Sequence, residues 1–292
     1  MKKEDTRTVI TVLVTVIIGT LVALAGSQNS IRVAGLPVFA IAVAMAYLIQ
    51  WIVFIPSYLN RTEKFFDLTG GITYSTVAIL ATLLSGKTDL RSLLLMALVL
   101  IWAIRLSSFL FMRIRKAGED RRFREIKQSF WRFLQTWTLQ GLWVTFTMAA
   151  ALAVITAQRV VAPDAFLFIG LVVWVIGFAI EVAADTQKSK FKSDPANDGK
   201  FISSGIWAWS RHPNYFGEIV LWIGVAIIAL PVLRGWTWVT LISPVFVTLL
   251  LTKVSGIPML EERADKKWGG QPDYEAYKAN TPVLIPAKPK GN

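Results

Sequence analysis

The chain has 292 residues, 54% of them hydrophobic, with a mean hydropathy of +0.52 and a formal net charge of +12 at pH 7. Soluble domains sit near about 45–50% apolar, and the excess here falls in blocks. With no cysteine and a single histidine, the composition excludes disulfides, cysteine-ligated zinc, thiol nucleophiles and histidine-rich metal sites; no metal is expected, although a magnesium site made only of carboxylates stays open.

Apolar blocks of ~20 residues mark membrane spans, and eight can be read in chain order. They lie roughly at 9–27, 36–56, 67–85, 91–112, 136–157, 166–184, 214–231 and 236–252. The N-terminal MKKEDTRTVI resembles the start of a signal peptide, but Val9 to Gly26 is long and lacks a small-x-small cleavage site, so it reads as a retained span. The last two spans are short and divided by the turn Pro231–Trp236, which contains glycine and proline. The expected fold is an all-α, polytopic membrane helix bundle of about eight spans, seven to ten being compatible with the pattern. The whole is one membrane domain. Residues 1–60 supply the first spans, 60–165 the substrate side, and 166–292 a cofactor-binding half. No internal repeat is visible, and the tail PAKPKGN is expected to fray.

The basicity is mostly topological. If the spans alternate, 25 of the 31 Lys and Arg fall in one set of loops and five in the other (Arg32, Lys87, Arg91, Arg159 and Arg234), with Arg105 inside a span. By the positive-inside rule this places both termini in the cytoplasm, and in a bacterium the membrane would be the inner one. Nucleic acid is not expected as a partner; membrane lipids are.

Charges inside a span are costly and usually face the protein interior. Asp67, Arg105, Glu181, Asp185 and Glu218 are the candidates. Glu181, Asp185, Lys188 and Lys192 share one helical face by their spacing. They form either a polar stripe leading into the bundle or a ladder of ion pairs on a solvated helix end. A second stripe begins in SRHPNYFGE, with Arg211, Asn214 and Glu218 three and four apart and His212 and Tyr215 between them. Pro213 suits the first turn of a helix, whose free N–H groups attract anions. Arg211 and His212 at that entrance read as part of an anion site. Glu261 and Glu262, among Arg263, Lys266 and Lys267, are either ligand-contacting acids or surface ion pairs worth little. Neither a glycine-rich dinucleotide fingerprint nor a P-loop is present, so a nucleotide would sit in a helical cavity.

GIWAWSRHPNYFGEIVLWIG resembles the C-terminal signature of the steroid 5α-reductase superfamily. With DTQKSKFKSDPANDGKF, GEDRRF and VSGIPMLEER…DYEAYKANTPVLIP, it is most similar to the bacterial 5α-reductase-like branch, the DUF1295-like membrane proteins. The likeness covers roughly residues 60–286. Sterol C14/C7 reductases, isoprenylcysteine carboxyl methyltransferases and phospholipid methyltransferases share parts of it. The resemblance implies NADP(H) as cofactor, held by Asp185, Lys192, Lys200, Asn214 and Glu218, with Arg105 matching an arginine on the fourth span. Trp102 stands where the steroid enzymes set a tyrosine one turn before that arginine, and Asp67 is the nearest substitute for their glutamate.

The expected function is NADPH-dependent reduction of a polarised C=C bond in a lipophilic, steroid- or isoprenoid-like substrate. The cofactor set is Arg105, Glu181, Asp185, Lys188, Lys192, Lys200, Arg211, His212, Asn214, Tyr215 and Glu218. Asp67, Tyr74 and Tyr47, in that order, are the candidates to polarise or protonate the substrate. The rivals are a SAM-dependent methyltransferase of a lipid or lipidated substrate and a non-enzymatic lipid-binding protein. The segment between Pro213 and Glu261 is longer than the methyltransferase pattern implies. Cysteines introduced at Arg121 and Ala196 should be labelled by a membrane-impermeant reagent only once the inner face is exposed; labelling of either from outside would overturn the topology.

Overall fold

The computed structural model describes residues 3–120 and 122–288. Arg121 and the last four residues of the PAKPKGN tail lie outside the described residues. Long helices dominate: α1 (Lys3–Gly26), α2 (Val38–Leu59), α3 (Phe66–Ser85), α4 (Leu90–Ala117), the single turn α5 (Phe123–Ile126), α6 (Phe130–Ile155) and α7 (Ala165–Ser193). Four more follow: α8 (Pro213–Ala229), α9 (Ile242–Leu249), α10 (Ile257–Trp268) and α11 (Pro272–Asn280). A hairpin of two-residue strands, Arg32–Val33 against Leu36–Pro37, turns through Ala34 and Gly35 at positive φ and is a small exception to the all-α expectation.

Seven helical segments among the described residues are long and apolar enough to cross a membrane, the last running from Gly235 to Trp268. This is an integral membrane protein. The helix α8, expected as a full span, has 17 residues. At ~1.5 Å per residue it reaches about 25 Å, short of the ~30 Å hydrocarbon core. It stops at Ala229 because the Pro231–Arg234 turn cannot continue it.

Helix ends follow local chemistry. The Asp89 side chain caps α4 by accepting from the Ser92 N–H at 3.1 Å, and Ser129 caps α6. Gly86, at φ +60°, closes α3 in the left-handed region. Residues 113–117, read from the sequence as loop, extend α4 instead. Arg91, counted above as an outer-loop charge, lies in the first turn of α4 with 2% of its surface exposed. Its Nη2 is 2.8 Å from Asp164 Oδ1.

The chain divides into two compact units. The first, residues 1–167 with 229–243, packs α1, α2, α3, α4 and α6 together. Tyr47 on α2 donates to the Thr15 carbonyl on α1 at 3.1 Å, and Gln50 Nε2 donates to Thr73 Oγ1 on α3 at 2.8 Å. Phe54, Phe123, Phe133 and Trp137 form its aromatic core.

The second unit holds residues 168–228 and 244–292. Its centre is a glycine seam between α7 and α8. A methyl group on Gly217 would sit 2.6 Å from both the Gly177 carbonyl oxygen and the Glu181 amide nitrogen. One on Gly224 would sit 2.7 Å from the Gly170 carbonyl. Small residues let helix backbones approach where lipid offers no hydrophobic driving force between them. Downstream, a π-helical turn at Leu250–Val254 and a break at Ser255–Gly256 redirect the chain into α10.

Gly217→Ala and Gly224→Ala should each lower the melting temperature of detergent-purified protein, by a few degrees or more, because backbone must move to admit the methyl group; overpacking of this kind costs ~1–3 kcal/mol. Ser189→Ala, on the exposed side of α7, should leave it unchanged. An unaltered Gly217→Ala protein would contradict the close approach.

Candidate functional site

The second unit brings together the polar residues of SRHPNYFGE and the acid Glu261. Pro213 occupies the first position of α8, so Arg211 and His212 stand just ahead of the helix. The fold of α10 delivers Glu261 to both. Its Oε1 lies 2.7 Å from His212 Nε2, and its Oε2 lies 2.6 Å from Arg211 Nη1. One carboxylate thus spans adjacent residues of the corner, hydrogen-bonded to the imidazole and ion-paired with the guanidinium.

The backbone of the corner is fixed by Ser210 and by the chain's C-terminal stretch. Ser210 is fully buried; its hydroxyl donates to the Leu284 carbonyl at 2.8 Å and accepts from the His212 N–H at 3.1 Å. The Arg211 N–H donates to the Pro282 carbonyl at 2.9 Å, and the Ala287 N–H donates to the Trp209 carbonyl at 3.0 Å. Residues 282–287 therefore strap the corner in place.

Burial pushes the His212 imidazole below its ordinary pKa of 6.5, an effect that the Glu261 hydrogen bond opposes and Lys188 and Arg211 reinforce. At neutral pH the ring is neutral. With Nε2–H donating to the Glu261 carboxylate, Nδ1 is left as an acceptor. It is buried and has no hydrogen-bond partner in the protein. The ring stacks against Tyr215, centroids 5.8 Å apart and planes 12° from parallel.

One step into α8, Asn214 Nδ2 donates to Asp185 Oδ1 at 3.3 Å, so the two polar stripes meet here. That bond orients the amide and leaves Asn214 Oδ1 as a second buried acceptor with no partner in the protein. Asp185 and Glu181 are both buried on α7. The Lys188 ammonium lies 4.2 Å from the centre of the Trp207 ring and within electrostatic reach of His212. Trp207 is itself pinned by donating to the Ala184 carbonyl at 3.0 Å. Lys192 is exposed at the end of α7, and Glu218 is half-buried one turn below Asn214. Lys200 lines a separate cavity of about 330 Å³ with Ser203, Ser204, Phe201, Gln271 and Asp273.

The remaining candidates belong to the first unit. Arg105 on α4 lies over the Phe109 ring at 5.4 Å. Tyr74 is buried edge-on against Trp102 at 5.1 Å. Asp67, in the first turn of α3, has Arg113 and Arg122 in electrostatic reach. The Tyr47 hydroxyl already donates to Thr15, and its ring fills the space over Gly19 and Gly141.

Sequence reasoning gave no role to Ser210 or to residues 282–287, although most of the latter lie in a stretch that carries the family resemblance, and it left Glu261 between two roles. The only available signal was a buried-type serine directly ahead of Arg-His, which is weak. Among the described residues, no three His, Asp or Glu side chains gather as a metal-binding group.

A depressed histidine pKa has a definite linkage. The unfolded chain takes up a proton near pH 6.5 and the folded one only at lower pH, so stability is level above about pH 6.5 and falls as pH drops below it, by at most ~1.4 kcal/mol per pH unit for one group. Melting temperatures between pH 8 and 5 should show that fall, and His212→Gln should flatten it. An identical profile in the variant would mean that His212 is not held neutral.

Residues 53–281 match the family described as "Protein of unknown function (DUF1295)". Among curated proteins, the chain is similar to a steroid 5-alpha-reductase DET2 of Gossypium hirsutum, at 28% identity over 40% of each chain. It is also similar to a Delta(14)-sterol reductase of Arabidopsis thaliana, 28% identical over 27% of this chain and 24% of the relative. A probable O-methyltransferase ustE of Ustilaginoidea virens is 29% identical over 21% of this chain and 22% of its own. The chain thus spans two-fifths or less of the length of each of these relatives. No solved structure matches.

Proposed function

The chain belongs to the DUF1295 family, and from that premise we propose that it is a membrane reductase that uses NADPH to saturate a polarised C=C bond of a lipophilic, steroid- or isoprenoid-like molecule. The observation that carries this reading is the pair of buried acceptors, His212 Nδ1 and Asn214 Oδ1, each oriented by an acid behind it. Two acceptors fit the amide N–H₂ of a nicotinamide carboxamide, which donates two hydrogen bonds. The bound cofactor would supply the hydride.

The protein's own residues orient and shield. Asn214 and His212 hold the donor group, and Asp185 and Glu261 hold those two in the required orientation. Arg211, beside the free N–H groups of the α8 terminus, favours phosphate. Lys200, with the hydroxyls of Ser203 and Ser204 on the same cavity, suits a further phosphate such as the one that distinguishes NADPH from NADH. Arg105 is assigned to the cofactor by the resemblance alone. The proton that completes the reduction would come from Asp67, with Tyr74 next. Tyr47 ranks last, because its hydroxyl is engaged by Thr15. Lipid-borne substrates would reach the site from the bilayer, and the charge distribution of the loops favours a site open to the cytoplasm.

Methyl transfer from S-adenosylmethionine remains the second reading, favoured by the likeness to a probable O-methyltransferase. Its ammonium group could also donate to the two acceptors.

Detergent-purified protein heated with NADPH, NADH or S-adenosylmethionine in parallel separates these readings, because a ligand that binds only the folded state raises its stability. NADPH should stabilise most, and Lys200→Ala should shrink its advantage over NADH. Asn214→Ala should weaken NADPH binding roughly tenfold or more, the worth of a lost buried hydrogen bond to an oriented partner. Stabilisation by S-adenosylmethionine alone would replace reduction by methyl transfer.

A further inference from the structure

In the first unit, a cavity of about 300 Å³ opens between the α2–α3 connection and the end of α4, far along the chain from the histidine corner. Lys64, Phe65, Phe111, Ile114, Arg115 and Gly118 line it. Its chemistry is divided. Phe65 and Phe111 stack with centroids 6.1 Å apart and planes 24° from parallel, and Ile114 continues this apolar wall. Lys64 and Arg115 supply two cations, and among the described residues no acid lines it.

The surrounding charges sharpen the contrast. Three cations in the following loop are matched by acids: Arg122 pairs with Asp120, Arg124 with Glu119, and Lys127 with Glu63 at 2.6 Å. Among the described residues, the side chains of Lys64 and Arg115 enter no hydrogen bond or ion pair. Both are exposed, and Phe65 is 49% exposed.

The depth of the cavity follows from helix length. The 28 residues of α4 span about 42 Å, beyond a hydrocarbon core of ~30 Å, so its last turns emerge into the headgroup layer. Phe111 precedes Arg115 by about one turn, and Phe65 stacks on Phe111. Apolar surface therefore lies on the bilayer side of the cavity and positive charge on the water side.

We propose that this cavity binds the headgroup phosphate of an anionic phospholipid. Lys64 and Arg115 hold the phosphate, and the first carbons of its acyl chains lie on Phe65 and Phe111. Charge complementarity argues for this occupant. Basic pockets at the cytoplasmic ends of spans attract the anionic lipids of that leaflet, and among the described residues neither cation of this cavity is already paired with an acid. The site is independent of the reduction proposed above, because it rests on the first unit alone.

Native mass spectrometry of detergent-purified protein, titrated with phosphatidylglycerol or phosphatidylcholine, tests it. Wild-type protein should retain one tightly held phosphatidylglycerol in preference to phosphatidylcholine. Lys64→Ala with Arg115→Ala should weaken that adduct by roughly thirtyfold, from the typical contribution of two basic residues near a lipid surface. Lys64→Arg should preserve it, and Phe65→Ala should weaken it with the charges intact. The melting temperature of the double variant without ligand should match wild type, which shows that the variant is folded, and any stabilisation by NADPH should be equal in the two. Equal retention of the two lipids, an unchanged adduct in the double variant, or displacement by millimolar inorganic phosphate would overturn the proposal. So would loss of NADPH stabilisation in the double variant, which would assign the cavity to the cofactor.

Discussion

The Glu261 carboxylate, shared between Arg211 and His212, is the contact on which the polar half of the second unit depends. Arg211 and His212 are adjacent, so without an anion between them their partial burial would leave positive charge and a ring N–H unsatisfied. Glu261 answers both at once and fixes the histidine tautomer. It comes from α10, reached through a π-helical turn and the break at Gly256. A straight continuation of the preceding helix would carry residue 261 elsewhere. A methyl group on Gly256 would meet the Leu251 carbonyl oxygen at 2.3 Å, so this bend depends on a residue without a side chain.

The glycine seam supplies the complementary constraint. Gly170 and Gly177 on α7 face Gly224 and Gly217 on α8, and the members of each pair are seven positions apart. That interval keeps matching points on one side of both helices for two turns. The closest approach at Gly217 brings Glu181 against α8, and Asp185, one turn on, is left within reach of Asn214. Burying two acids costs several kcal/mol each unless they are hydrogen-bonded or paired. Their placement is therefore tied to how closely the backbones can meet, which is a property of glycine rather than of the acids.

The parts of this arrangement that are local in sequence were legible. The apolar blocks marked the helices, and the intervals 181–185 and 211–214–218 marked polar faces. Length was less legible: 214–231 reads as a span until the Pro231 turn is seen to end α8 after 17 residues. Arg91 reads as an outer-loop charge, yet it is buried against Asp164, more than 70 residues away. Glu261 could not be distinguished from Glu262 by sequence, since the two are neighbours among the same lysines. Only the helix face separates them: Glu262 points to solvent and pairs with Lys266, while Glu261 turns inward. The strap of residues 282–287 works through carbonyl and N–H groups that every sequence possesses, so no residue type announced it.

The strap and the carboxylate act on different degrees of freedom, and together they limit what the site can recognise. Ser210 and the backbone bonds to Pro282 and Leu284 fix where His212 begins, whereas Glu261 fixes how its ring is protonated and turned. Asn214 is fixed in the same two ways, by the first turn of α8 and by Asp185. A flexible amide or imidazole can present a donor or an acceptor to suit its ligand. Here both are turned by an acid: His212 has its one N–H on Glu261 and Asn214 has one of its two N–H groups on Asp185, which leaves His212 Nδ1 and Asn214 Oδ1 as buried, unused acceptors. An anionic group placed against them would face two lone pairs and be repelled. On the proposed reading, the phosphates of a dinucleotide would lie toward Arg211 rather than toward His212 Nδ1, and a neutral or cationic donor would meet the two acceptors.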